Sequence, residues 1–322
     1  MSKYLYLISI ASFLLLLLQS CSTQNAPPAV LTDGISNHVL MSNSIERRYQ
    51  VYRPTSAATD ATALFVLHGS GGSGSEMRAI AGAGFERLAD QHGFLVVYPD
   101  GFEKHWNDCR GSADYSANTE NIDDTRFFQE LTAEVAKRQR ASADKMFITG
   151  LSNGGQMAYK MALESPRTFK AYAAVIASLP EQANLDCNKS NTAVSMLIMN
   201  GDKDPINPYK GGVVSIGYNT SRGAVLSTRE TALYWAGLAG NRRPPAVKLY
   251  PERDGDETTA IEEKTWQKNS GHQIKLVTMK GSGHVFPSIN SKIPAEYASL
   301  LGKAAGDVDG AELVVAFFLG RL

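Results

Sequence analysis

The stretch Met146-Phe147-Ile148-Thr149-Gly150-Leu151-Ser152-Asn153-Gly154-Gly155 joins a short apolar run to a G-x-S-x-G pattern, and the helix-forming run Gln156 to Leu163 follows. Glycines on both sides of Ser152 permit a tight strand-to-helix turn that lifts the hydroxyl above a sheet edge. The first turn of the new helix would then offer free N–H groups and partial positive charge to a developing oxyanion. That chemistry is acyl transfer by a nucleophilic serine, with Asn153 N–H as one oxyanion donor. The competing interpretation is a plain glycine-rich turn with Ser152 as a helix cap. The flanking strand and helix favour the nucleophile.

A serine needs a base to take its proton, and the base needs an anion to hold its tautomer. Two histidines lie downstream, His272 and His284. His272 enters a polar strand, whereas His284 follows the strand-like run Ile274 to Met279 inside Gly281-Ser282-Gly283-His284. A glycine-rich loop after a strand suits the base, so His284 is preferred. The acid should follow the apolar run Val194 to Met199, in Asn200-Gly201-Asp202-Lys203-Asp204-Pro205. Both aspartates are candidates. Asp204 has the longer reach, and Asp202 suits a turn residue bonding its own backbone.

Upstream, the apolar run Ala63 to Leu67 ends in His68-Gly69-Ser70-Gly71-Gly72-Ser73-Gly74. Here backbone N–H groups can approach a ligand closely, and Ser70 or Gly71 is expected to supply the second oxyanion donor. A phosphate loop is disfavoured, because no Gly-Lys-Ser/Thr follows. His68 is expected to brace the loop. Trp106, in the polar loop Trp106-Asn107-Asp108-Cys109-Arg110, and Phe286, just after His284, are expected to line the substrate pocket; capping a core edge is the alternative for Trp106.

The elements that must position these residues alternate. Strands are expected near 45–54, 63–67, 94–98, 171–177 and 194–199, and helices over 76–91 and from Asp123-Asp124 onward. In the last third, a helix is expected over 227–239, strands over 247–250, 258–266 and 273–279, and a closing helix over 309–319. Alternation from Leu64 onward predicts an α/β domain with a mostly parallel central sheet and helices on both faces. The aspartates before Phe127 and the basic residues at 137–140 suit the ends of one helix and are read as structural.

The chain has 322 residues, 43% hydrophobic and 20% charged, with zero net charge. Nothing in this balance favours nucleic acid as a partner. No metal-ligand spacing appears, and neither metal nor organic cofactor is expected. The N-terminus differs from the rest. Lys3 precedes an apolar run from Tyr4 to Leu18, then Gln19-Ser20-Cys21. The run is short for a membrane span and suits a signal-peptide core. Its ending resembles the lipobox of bacterial lipoproteins, which implies a lipid on Cys21 and attachment to a membrane. By the same resemblance, Ser22 after the cysteine implies the outer membrane or cell surface. The expected organisation is a signal peptide over 1–20, a lipidated N-terminus and tether over 21–40, and one catalytic domain over 41–322. Export would permit Cys109 and Cys187 to pair.

Taken together, His68-Gly69 with its glycine loop, Tyr98-Pro99-Asp100-Gly101, Trp106-Asn107, Asp123-Asp124, Gly150 to Gly155, Gly201 to Pro205 with Pro208-Tyr209, and Gly283-His284 with Pro287 resemble the polyhydroxybutyrate depolymerase and feruloyl esterase family. The resemblance implies an α/β-hydrolase fold and hydrolysis of a small or oligomeric ester. It matches the family's nucleophile to Ser152, its base to His284 and its aspartate before proline to Asp204. Val285 and Phe286 depart from the family's usual residues after the histidine. The implied substrates are feruloyl or acetyl esters on plant polysaccharide fragments, with hydroxybutyrate oligomers as the alternative. No separate polymer-binding domain is read in the chain, which argues against solid polyester. A serine peptidase or a non-catalytic glycan-binding protein are the rivals from other classes.

Overall fold

The computed structural model describes residues 34–253, 255–268, 271–288 and 299–322. The expected signal segment, Cys21 and the tether up to residue 33 lie outside the described residues. Folded structure begins earlier than expected, inside the stretch assigned to the tether. Strand β1 (Gly34–Ser42) pairs antiparallel with β2 (Ile45–Arg53) along its whole length. Its Ser, Asn and His side chains read as linker, but the ladder with β2 and the stacking of His38 on Tyr49 (5.1 Å) hold it as an edge strand.

One ten-stranded sheet organises the rest, in the order β1-β2-β4-β3-β5-β6-β7-β12-β11-β10. Its centre is β4 (Leu95–Pro99), β3 (Ala61–Leu67), β5 (Ala141–Leu151), β6 (Ala171–Val175), β7 (Ser195–Gly201) and β12 (Ile274–Lys280), all mutually parallel. β11 (Ala260–Trp266) and β10 (Ala246–Leu249) close one side antiparallel, as β1 and β2 close the other. A separate small hairpin joins β8 (Gly212–Val213) to β9 (Ala224–Val225).

Central strands read as continuous apolar runs because both faces are covered. β3 shows the division: Ala63, Phe65 and Leu67 enter one core, while Leu64 and Val66 enter the other. The first core takes Phe127, Phe128 and Leu131 of α4 (Asp124–Arg138), Met157 and Met161 of α5 (Asn153–Glu164), and Trp235 of α6 (Thr228–Leu238). The second takes Met77 of α1 (Gly74–Ile80), Phe85 and Leu88 of α2 (Gly84–His92), and Val314 and Phe318 of α7 (Gly310–Leu319). A one-turn helix, α3 (Ser116–Thr119), lies in the loop before α4. The helix expected over 76–91 is broken in two, because Gly82 and Ala83 both take φ of 56° and end the first segment. Among the described residues no helix is long and apolar enough to cross a membrane.

Candidate active site

In a parallel sheet all carboxyl ends lie at one edge, so loops following β5, β7 and β12 converge. Ser152 follows β5, Asp204 follows β7 and His284 follows β12. His272 precedes β12 and therefore sits at the opposite edge.

Ser152 takes φ 54° and ψ −112°, outside the regions where a non-glycine residue rests comfortably. Neighbouring contacts impose this: its N–H donates to Val175 O (2.8 Å) and its carbonyl accepts from Gln156 N (2.9 Å). The flanking glycines are required by space. A Cβ at Gly150 would collide with the Gly154 carbonyl, and one at Gly154 would lie 2.5 Å from His68 O. The helix start is thus pressed against the ends of β3 and β5.

The structure brings three of the predicted residues into one chain of hydrogen bonds. His284 Nε2 lies 3.0 Å from Ser152 Oγ, and His284 Nδ1 lies 2.7 Å from Asp204 Oδ2. Asp204 is oriented from behind, since its Oδ1 accepts from the Ile206 and Asn207 N–H groups, both at 2.8 Å. With Asp204 accepting at Nδ1, that nitrogen carries the proton of neutral His284 and Nε2 is free to accept from Ser152. The His284 loop is pinned by Gly283 N to Lys303 O (2.7 Å) and His284 N to Leu301 O (2.6 Å). Asp202 turns away and accepts from Gly281 N (2.7 Å).

Of the two candidates for the second oxyanion donor, Gly71 is committed elsewhere, donating to Lys104 O at 2.9 Å. That leaves Ser70 as the remaining candidate in this loop, with the Asn153 N–H at the first turn of α5. Ser70 lines the same cleft as Ser152. His68 braces the loop: its Nε2 accepts from Gly101 N (2.9 Å), and its Nδ1 donates to Gly69 O (2.7 Å). Burial holds its pKa below the ordinary histidine value, in keeping with a neutral ring.

The two aromatic residues expected to line the pocket do not. Trp106 is fully buried; its indole N–H donates to His68 O (2.9 Å), and its ring lies 4.9 Å from His68 and 5.4 Å from Phe128. Phe286 is buried in the opposite core, 6.0 Å from the Phe85 ring. Both loops fold inward, because their apolar residues gain more from burial than from rimming a cleft.

The cleft over Ser152 is walled by the aliphatic side chains Ile176, Ile206, Val214 and Ile216. Two arginines, Arg110 and Arg222, also line it. Neither carries a signal in the sequence: Arg110 stands in the polar loop that follows Trp106, and Arg222 lies in a polar turn with no motif. Arg110 is paired with Asp108, Nη2 to Oδ2 at 2.6 Å and Nε to Oδ1 at 3.0 Å. Burial works against the Asp108 charge, but Arg110 beside it outweighs this and keeps the pKa below the usual carboxylate value. The Tyr115 hydroxyl and Asn153 Nδ2 also donate to Asp108 Oδ2, both at 2.6 Å. Asn153 Oδ1 accepts from Trp106 N (2.8 Å). The side chain that begins α5 is therefore locked beneath the cleft. A disulfide joins Cys109 to Cys187 across a Cα separation of 5.1 Å and ties this loop to the segment between β6 and β7.

A family model, Esterase, described as "Putative esterase", matches residues 42–205. "Putative esterase NocK" of Nocardia uniformis subsp. tsuyamanensis is 28% identical over 264 residues, covering 79% of this chain and 73% of that protein. "Feruloyl esterase B" of Neurospora crassa is 30% identical over 135 residues, 41% of this chain and 44% of that protein. This chain thus spans under half of the latter's length. The solved structure of an acetyl xylan esterase from Aspergillus awamori superposes with a TM-score of 0.54 at 18% identity, over 79% of this chain and 95% of that one. At that identity the likeness speaks for the fold, and the fold is that of the α/β-hydrolases. The expected resemblance to feruloyl esterases is borne out by these matches.

Proposed function

The chain belongs to the esterase family matched over residues 42–205, and on that premise we propose that it is a serine carboxylesterase acting through Ser152, His284 and Asp204. Ser152 attacks the ester carbonyl while His284 Nε2 takes its proton and later returns it to the leaving alcohol. Asp204 holds the tautomer and stabilises the imidazolium that forms. The N–H groups of Asn153 and Ser70 receive the oxyanion. A water activated by the same histidine then releases the acyl group. The observation that carries this reading is the continuous chain Asp204, His284, Ser152 at 2.7 and 3.0 Å.

The acyl group we propose is short, acetyl foremost, on a carbohydrate fragment. Support comes from the lining of the cleft, which holds aliphatic and polar side chains and, among the described residues, no aromatic ring besides the His284 imidazole. A feruloyl ring would have no aromatic partner there now that Trp106 and Phe286 are found buried. Fluorophosphonate labelling and a panel of acetylated xylan fragments, feruloyl esters and hydroxybutyrate oligomers test the reading. Labelling lost in Ser152→Ala, with acetyl esters turned over fastest, is the expected result. Labelling that persists in that variant would remove Ser152 from the mechanism.

The address belongs to the same proposal. The apolar run to Leu18 followed by Ser20-Cys21 supports export and a lipid on Cys21. Cys21→Ser should release the protein from the membrane fraction or leave it unprocessed. A processed variant still found with membranes would point to another anchor.

A further inference from the structure

We infer that Arg222 is a carboxylate-binding residue of the cleft over Ser152, and that between short esters of the same shape it favours the one carrying a carboxylate near the scissile bond over its neutral counterpart. The inference rests on the esterase mechanism proposed above.

Arg222 is only 9% exposed and lines the cleft with Ser152 and His284. Its Nη1 is buried and has no hydrogen-bond partner. Among the described residues no carboxylate pairs with it. The nearby anions are already engaged. Asp108 accepts from Arg110, Tyr115 and Asn153, and both oxygens of Asp204 are occupied. Asp114 acts on Arg222 only through space, from the surface. The Tyr115 ring lies 5.9 Å from the guanidinium and can share its charge only weakly. Burying a cation without an anion is costly, and guanidinium cannot shed its proton to escape the cost. A bound anion would supply the missing partner.

The site is built to hold Arg222 in place. Arg222 lies in the turn between β8 and β9, and its carbonyl accepts from Asn184 Nδ2 (2.9 Å). Gly223 follows with φ 66°, where a Cβ would run into the Asn184 side chain. Asn184 also accepts from Gly111 N through its carbonyl (2.8 Å) and from Ser112 N through Oδ1 (3.1 Å). One buried asparagine therefore registers the Arg222 turn against the Arg110 loop. A planar guanidinium carried on this fixed turn can match a planar carboxylate in two parallel hydrogen bonds. The small aliphatic walls restrict the remainder of the ligand to a few carbons.

The carboxylate could belong to the acyl group or to the alcohol, and paired substrates separate the two. Monomethyl succinate against methyl levulinate places the charge, or its neutral isostere, on the acyl side. O-acetyl-lactate against acetoin acetate places it on the alcohol side. On one arm the charged member should be favoured in kcat/KM by about 10- to 100-fold. Arg222→Gln should bring that ratio to within about threefold of one, chiefly by raising KM for the charged ester. Arg222→Lys, which keeps charge but loses the fork, should retain part of it. Independently of any variant, succinate should inhibit hydrolysis of the neutral esters and succinamide should not. A ratio near one on both arms, a ratio indifferent to Arg222→Gln, or equal inhibition by succinate and succinamide would overturn the inference. Turnover of neutral esters with fluorophosphonate labelling at Ser152 would then leave the mechanism standing. Absence of both labelling and turnover would instead bring down the esterase mechanism, and the role of Arg222 with it.

Discussion

Replacing Asp108 by Asn tests whether the floor of the cleft is held by charge pairing. The Asp108 and Arg110 side chains are 0% and 4% exposed, so solvent screens their attraction little. In Asp108→Asn the guanidinium of Arg110 keeps its charge and loses the one carboxylate that pairs with it among the described residues, beside a second cation at Arg222. Leaving one member of a buried pair uncompensated typically costs about 3–5 kcal/mol. For a domain of this size each kcal/mol corresponds to about 2 °C, so the melting temperature should fall by about 6–10 °C. Arg110→Gln should do comparable damage by stranding the carboxylate. The double variant should be less unstable than the sum of the singles by about 2 kcal/mol, because no unpaired charge remains between these two positions. Calorimetric melts of the four proteins measure this directly. Activity should fall as well, since Asp108 also anchors Asn153, whose N–H is proposed to receive the oxyanion. A melting temperature for Asp108→Asn within about 2 °C of wild type, or strict additivity in the double variant, would refute the reasoning.

Trp106→Ala should cost about 3–5 kcal/mol and lower turnover of large and small esters alike, because the ring is core and not pocket; a selective rise in KM for bulky esters would return it to the pocket. Reducing the disulfide, or Cys109→Ala with Cys187→Ala, should destabilise by about 2–5 kcal/mol, since the bridge spans a sequence separation of 78 residues. A melt indifferent to reductant would contradict that. His68 gives a pH dependence of known sign. Burial lowers its folded pKa, so between its ordinary value of about 6.5 and the lowered one the unfolded chain binds a proton that the native state does not. Stability should therefore drop as pH falls through that window, with His38 and His272 acting in the same direction. His68→Gln should melt with a shallower dependence between about pH 7 and pH 5 than wild type; parallel curves would show that His68 contributes nothing to it.

Local chemistry in the sequence was enough for several decisions. Glycines around Ser152 announce a turn that only small neighbours allow, and contacts at Gly150 and Gly154 bear out the reason. Unbroken apolar runs announce strands covered on both faces. A glycine loop after a strand marks His284 above His272, since strand direction alone separates the two edges of a parallel sheet. The choice between Asp202 and Asp204 stayed open on spacing, because two residues in one loop differ only in where the turn aims them. Depth was not legible either. Trp106 and Phe286 stand in polar loops, and nothing in their neighbours tells whether such a loop folds over the core or rims a cleft. β1 passed for a tether because an edge strand owes its order to its partner's ladder and not to its own apolar content. Arg222 is 112 positions from Arg110 in the chain, and no periodicity links them. Only the tertiary structure, through Asn184 and the folding of the β8–β9 turn against the disulfide-tied loop, sets both guanidinium groups in one cleft and leaves one without an anion. Sequence patterns encode which dihedrals a residue prefers and which face it buries, whereas the meeting of distant loops depends on strand order and on the packing that strand order makes possible.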